Sequence, residues 1–295
     1  MRKITFVGLG AMGLPMAKNL IFSGYQVCGI DKNLDSVKAL DALGGTHFES
    51  NLQAYENTDV LIIMVINSTQ AKEVLLAGGA LNVLPHGACV CLMSTCPPAE
   101  VADIDLLVTQ AGKQFVDCPV SGGVAGAING TLTLMAACKK ATYEQVLPIF
   151  NVFGKRIFHV GEKPGQGAMC KTINQLLCGL HLAVAAEAFS LAKKGGLDTK
   201  LLLEIMSGSS ASSWMLNDRG NRMLQNEPEV TSTVDIFVKD LSIVSQAGRD
   251  TKAALPLTAV ALQMFLSASG RGEGLLDDSQ VIRSYDALNG TQTYN

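Results

Sequence analysis

Charge is scarce in this chain. Only 17% of its 295 residues are Asp, Glu, Lys or Arg, and the formal net charge is −3. Nucleic-acid binding rests on a basic footprint that neutralises phosphates, so this balance argues against such a partner. Aromatic residues are few, at 5%, with Trp214 the single tryptophan. Long apolar runs are missing too: no stretch reaches the 18 or so uninterrupted apolar residues of a membrane span, so no membrane partner is expected. The N-terminal run is broken by Gly8, Gly10 and Gly13, where a secretory signal would carry its apolar segment. The cysteines show no C-x-x-C paired with a second one or with two histidines, so no metal site is indicated. Cys28, Cys89 and Cys91 fall in strand-like apolar runs, Cys89 and Cys91 on one strand face. Reduced thiols in a cytoplasmic protein are the expectation.

Apolar residues, by contrast, make up 48% of the chain, enough for a large core, and the length suits two domains. The first half alternates short apolar runs with helical patterns. Ile4–Val7 and Gln26–Ile30 read as strands, with a helix over Gly13–Phe22 between them. Val60–Ile66 is a continuous apolar run of the kind buried on both faces of a parallel sheet. Ala88–Met93 and Gln114–Val116 are further strand candidates. Repeated β-α-β units predict an α/β domain with a doubly wound parallel sheet, the Rossmann arrangement, over residues 1–163.

From 164 to 295 the pattern is helical. Pro164-Gly165-Gln166-Gly167 punctuates the chain, and Ala168–Lys194 then runs without proline to Gly195-Gly196. At 1.5 Å per residue that helix is about 40 Å long, long enough to lead from one domain into the next. Leu201–Met206, Val234–Ala247 and Leu255–Ala268 continue the helical periodicity, which predicts an all-helical C-terminal domain.

Directly after the first strand stands Gly8-Leu9-Gly10-Ala11-Met12-Gly13, a G-x-G-x-x-G that opens a helix. The first glycine makes the tight turn, the second lets backbone approach a pyrophosphate, and the third allows close helix–strand packing. Its place between strand and helix gives the motif its meaning as a dinucleotide site. Asp31 follows the second strand, where a carboxylate can accept hydrogen bonds from a ribose and repel a 2′-phosphate. NAD is therefore expected over NADP, although Lys32 next door offers a phosphate some attraction.

Four segments together resemble the β-hydroxyacid dehydrogenase family, which includes 3-hydroxyisobutyrate dehydrogenase and tartronate semialdehyde reductase. They are F-V-G-L-G-A-M-G-L-P-M-A-K-N from residue 6, D-C-P-V-S-G-G at 117–123, G-A-M-C-K-T-I-N-Q at 167–175 and F-V-K-D-L at 237–241. Within the family, S-S-W-M at 212–215, D-D-S at 277–279 and the Val65-Ile66-Asn67 run resemble the subgroup that oxidises L-threonate. Asn174 departs from that subgroup's histidine and matches the hydroxyisobutyrate and tartronate semialdehyde enzymes. The resemblance implies NAD-dependent oxidation of a small 2- or 3-hydroxy acid by a homodimer or homotetramer. Reduction of tartronate semialdehyde, oxidation of 3-hydroxyisobutyrate or a 3-hydroxy amino acid, and a non-catalytic NAD-binding role stand as alternatives.

The resemblance also implies roles for particular residues. Lys171 is the expected catalytic acid–base, near the start of the long helix, where the helix dipole disfavours an ammonium. Asn174 and Gln175 fall three and four residues on, on the same helix face, and Asn174 is the expected substrate contact. Ser121, Gly122 and Gly123 offer a hydroxyl and unhindered N–H groups to the substrate's carboxylate. Val65, Thr95 and Lys239 are expected at the cofactor, and Asp240 near the substrate.

Overall fold

A computed structural model describes residues 2–48 and 50–291. Among the described residues, eight strands form one sheet: β1 (Lys3–Val7), β2 (Gln26–Ile30), β3 (Val60–Ile63), β4 (Cys89–Leu92), β5 (Gln114–Asp117), β6 (Val120–Ser121), β7 (Leu132–Ala137) and β8 (Gly154–Gly161). The order β2-β1-β3-β4-β5 is parallel throughout, as the apolar runs predict. Beyond β5 the sheet turns mixed: β7 pairs antiparallel with β5 and β6, and β8 runs parallel to β7. That mixed edge adds to the expected parallel sheet.

Strand β3 explains why its sequence is apolar at every position. Val60 and Ile62 belong to one core cluster, Leu61 and Ile63 to another, so the strand is buried on both faces. Helices α1 (Gly13–Phe22), α2 (Leu34–Ala42), α3 (Asn51–Glu56), α4 (Ser68–Leu75), α5 (Ala80–Val83), α6 (Pro98–Gln110), α7 (Gly123–Asn129) and α8 (Lys140–Phe153) connect the strands. Met16 and Leu20 of α1 and Val146 and Phe150 of α8 fill the first cluster; Ala71 and Leu75 of α4 and Ile104 and Val108 of α6 fill the second. Helices therefore cover both faces, which is the doubly wound arrangement. Cys89 and Cys91 lie in the first cluster with their Sγ atoms 3.9 Å apart.

The expected strand Val60–Ile66 ends at Ile63. Past Met64 the backbone leaves the ladder, and the Val65 N–H donates to Ser94 Oγ at 3.0 Å.

The chain divides into two units, Met1–Lys171 and Thr172–Asn295. Helix α9 (Gln166–Lys194) carries the chain from the first unit into the second. The second unit continues with α10 (Thr199–Ser207), α11 (Trp214–Met223), α12 (Val234–Thr251), α13 (Pro256–Ala268) and α14 (Ile282–Asn289). Its core gathers Leu182, Ala186 and Phe189 of α9 around Phe237 and Leu241 of α12 and Phe265 of α13, with the Phe237 and Phe265 rings stacked 5.1 Å apart. The Asp277-Asp278-Ser279 run is buried there as structure: Asp278 Oδ1 accepts from Arg219 Nε at 2.9 Å, and Arg222 Nε lies 3.3 Å from Asp277 Oδ1. Trp214 is 55% exposed, with the Arg219 guanidinium 5.8 Å from its ring, so it is not a core residue.

Among the described residues, α9 alone is long and apolar enough to cross a membrane, with a mean hydropathy of 1.4. Half of that window is buried inside the protein, which is how a core helix passes the same test.

Candidate active site

The glycine loop sits between β1 and α1. Gly8 has φ +94°, a left-handed conformation, and a Cβ there would fall 2.3 Å from the Met64 carbonyl oxygen. A Cβ on Gly13 would lie 1.8 Å from the Gly8 carbonyl oxygen, so the helix can begin this close to the strand only with glycine. Gly10 is different. It is exposed, and a Cβ there would meet no atom within 4 Å. Nothing in the fold requires a glycine at that place, whereas close approach of a pyrophosphate does. Ala11 is exposed beside it, Met12 is half-buried, and Leu9 is buried.

Asp31 closes this loop. Its Oδ2 accepts the Leu9 N–H at 2.6 Å, and its Oδ1 accepts the Asn33 N–H at 2.7 Å. Lys32 points to Glu73 at 3.5 Å, both side chains being largely exposed. The glycine loop, Asp31, Val65 and Thr95 follow β1, β2, β3 and β4 in turn, so all stand at the carboxyl-end edge of the parallel strands. This is the edge where doubly wound sheets bind ligands. The open space at Gly10 before the start of α1 and the carboxylate at Asp31 fit a nicotinamide dinucleotide.

In the same unit, Ser121 ends β6 opposite Thr133 of β7. Gly122 and Gly123 follow with φ of +132° and +62°, two successive positive values that L side chains rarely adopt. All three are half-buried.

Lys171 is 8% exposed. Because α9 begins at Gln166 rather than at Ala168, Lys171 lies in its second turn, where the helix dipole acts more weakly than the sequence suggested. The start of the helix is held by Asp117. This carboxylate, 1% exposed at the end of β5, accepts the Ala168 N–H at 2.9 Å, and the backbone N–H groups of Gly165 and Gly167 also favour its charged form. Burial pushes the Asp117 carboxyl up to about 7, against the pull of those three donors.

In the second unit, Asn174 and Gln175 part company. The Asn174 amide donates to Cys178 Sγ at 2.9 Å, one turn along the same helix. Buried Gln175 donates to Asp240 Oδ2 at 2.5 Å, and Lys239 Nζ lies 2.8 Å from Asp240 Oδ1. Lys239 and Asp240, neighbours in α12, thus form an ion pair that Gln175 completes. From the sequence, Gln175 is a second amide on the Lys171 face that could hold a substrate hydroxyl, and its bond to Asp240 is not visible there; Asp117 is given no role at all. The signal for Gln175 was its four-residue spacing from Lys171; Asp117 gave none beyond heading the D-C-P-V-S-G-G segment.

Residues 3–161 match the family described as the NAD binding domain of 6-phosphogluconate dehydrogenase. Residues 165–285 match the one described as NAD-binding of NADP-dependent 3-hydroxyisobutyrate dehydrogenase. The chain is 33% identical to the L-threonate dehydrogenase of Escherichia coli K12, over 97% of this chain and 95% of that protein. It is likewise 33% identical to the 2-hydroxy-3-oxopropionate reductase of the same strain, over 97% and 98%. A crystal structure of 3-hydroxyisobutyrate dehydrogenase from Salmonella typhimurium superposes with a TM-score of 0.91 at 33% identity, covering 96% of this chain and 99% of that one.

Proposed function

The chain belongs to the β-hydroxyacid dehydrogenase family of NAD(P)-dependent enzymes, and we propose that it oxidises a small polyhydroxylated acid, L-threonate first among the candidates, with NAD. The observation that carries the substrate class is the full-length likeness to L-threonate dehydrogenases. Asp31, with its charge against the glycine loop, supports NAD over NADP. The bound cofactor supplies the hydride acceptor.

The rest falls to side chains of this chain. Lys171 Nζ takes the substrate's hydroxyl proton and returns it in the reverse direction. Asn174, three residues on, holds that hydroxyl by its amide. Ser121 Oγ and the N–H groups of Gly122 and Gly123 hold the carboxylate. Val65 and Thr95 border the cofactor, Lys239 reaches it, and Asp240 orients the substrate with the help of Gln175.

A second reading runs the same chemistry toward reduction, with 2-hydroxy-3-oxopropionate as substrate. It is supported by the 33% identity to that reductase and by Asn174, which by the family resemblance matches the tartronate semialdehyde enzymes. We further assign the protein to a homodimer or homotetramer, supported by the exposed apolar side chains Ile173, Leu177, Val184 and Leu191 along α9. A cytoplasmic location is supported by cysteines such as Cys28, Cys89, Cys91 and Cys118 that serve as buried core residues, which suits a reducing compartment.

The test is a screen of L-threonate, D-erythronate, glycerate, 3-hydroxyisobutyrate, serine and threonine as oxidisable substrates, with NADH formation as the readout. Reduction of 2-hydroxy-3-oxopropionate is measured beside it. The highest kcat/KM is expected for L-threonate. A preference of about tenfold or more for another acid, some 1.4 kcal/mol in transition-state binding, reassigns the substrate.

A further inference from the structure

We propose that Asp117 is a positioning residue for the reaction: its buried carboxylate caps the first turn of α9 and fixes where Lys171 stands. The inference rests on the reading of Lys171 as the acid–base. The Ala168 N–H donates to this side chain at 2.9 Å, and a Cβ on Gly167 would lie 2.9 Å from its carboxyl carbon, so the carboxylate sits directly against the first turn. A helix start leaves such donors without partners inside the helix, and a buried side chain that accepts one of them fixes where the first turn sits.

The surrounding contacts leave that turn no room to slide. A Cβ on Gly167 would lie 2.6 Å from the Met135 carbonyl oxygen and 2.7 Å from that of Asp117, so α9 begins pressed against the backbone of β5 and β7. Gly165, with φ +84°, lies as close to the Pro98 carbonyl, where a Cβ would fall 2.8 Å away. Ala168, whose N–H Asp117 accepts, is 2% exposed and belongs to the sheet's core. Lys171 follows Ala168 by a single helical turn, so any shift of Ala168 is passed to it almost undiminished.

Asp117 also heads the segment that ends in Ser121-Gly122-Gly123. One carboxylate therefore ties the start of the lysine's helix to the end of β5, from which the chain runs on into β6 and Ser121. A misplacement of about 1 Å at a reacting group can cost on the order of 10²-fold in rate. A tie of this kind acts on kcat and not on the glycine loop.

The experiment compares wild type with Asp117→Ala and Asp117→Asn in the full chain with NAD, on the best acid of the screen. It reads kcat, the NAD dissociation constant and the melting temperature. Asp117→Ala is expected to lower kcat by about 10- to 100-fold while NAD affinity stays within about twofold. Asp117→Asn keeps the shape and one acceptor and should fall between it and wild type. A folded Asp117→Ala that loses melting temperature but keeps kcat within about twofold of wild type overturns the proposal, because a purely structural cap behaves that way. Should Asp117→Ala not fold, Asp117→Asn decides: kcat lowered by about threefold or more at unchanged NAD affinity supports the proposal, and unchanged kcat overturns it. Lys171→Ala separates the two readings. If Asp117 acts through Lys171, adding Asp117→Asn to Lys171→Ala lowers kcat no further, and a full second loss overturns the proposal. If Lys171→Ala alone leaves kcat intact, it is the reading of Lys171 that fails.

Discussion

Asp31 Oδ2 accepts the backbone N–H of Leu9 at 2.6 Å, so the carboxylate after β2 is fixed against the middle of the glycine loop. A negative charge fixed there opposes the 2′-phosphate of NADP and offers its acceptor oxygens to a ribose. The ratio of kcat/KM for NAD over NADP is expected to be about tenfold or more, equivalent to about 1.4 kcal/mol. Asp31→Ser should narrow that ratio, with Lys32 then the nearest charge to the phosphate. Equal efficiencies in the wild type would contradict the assignment.

Two glycines of one motif should fail differently. A Cβ at Gly13 collides with the Gly8 carbonyl at 1.8 Å, and backbone cannot yield as a side-chain end can. Gly13→Ala should therefore destabilise by about 1–3 kcal/mol or more, read as a fall of several degrees in melting temperature. At Gly10 a Cβ meets nothing within 4 Å. Gly10→Ala should melt like wild type yet bind NAD weakly, as measured by titration calorimetry. Normal NAD affinity in Gly10→Ala would mean that the glycine is not there for the cofactor.

The parts of the molecule set by local pattern were legible in the sequence. The α1 and β2 spans agree with the expected Gly13–Phe22 and Gln26–Ile30, because the glycine motif and the apolar periodicity lie within the segments themselves. The strands β6, β7 and β8 were not legible. Their pairing depends on partners such as Asp117 and Ala137, and Lys155 and Arg156 in β8 obscure its pattern. The same distance effect governs the site. Asn174 and Gln175 share a helix face with Lys171, and only the packing of α12 reveals that Gln175 is the one that meets Asp240. Asp117 reaches Ala168 across 51 residues of sequence, which no local motif announces.

Asp117 also makes a prediction about pH. Its carboxyl is raised from the ordinary 3.8 to about 7 by burial, so between those values the folded protein holds a proton that the unfolded chain releases. Its contribution to stability is present at low pH and is lost as pH rises through about 7. Asp117→Asn cannot titrate. Denaturant midpoints measured from pH 5 to pH 8 should therefore show wild type losing stability relative to Asp117→Asn across this range. A difference that stays constant, or that moves in favour of wild type, would contradict this account.

The central claim is that Lys171 moves the proton of a hydroxy acid in an NAD-dependent oxidation, and the kcat of Lys171→Ala on the best acid of the screen tests it most directly. The glycine loop and Asp31 are untouched by the change, so the variant should fold and bind NAD as wild type does. Loss of general acid–base help should lower kcat by on the order of 10²- to 10⁴-fold. Wild-type kcat should rise with pH through one ionisation that Lys171→Ala lacks, since only the neutral amine accepts a proton. A folded, NAD-binding Lys171→Ala with kcat near that of wild type would contradict the account and place the base elsewhere.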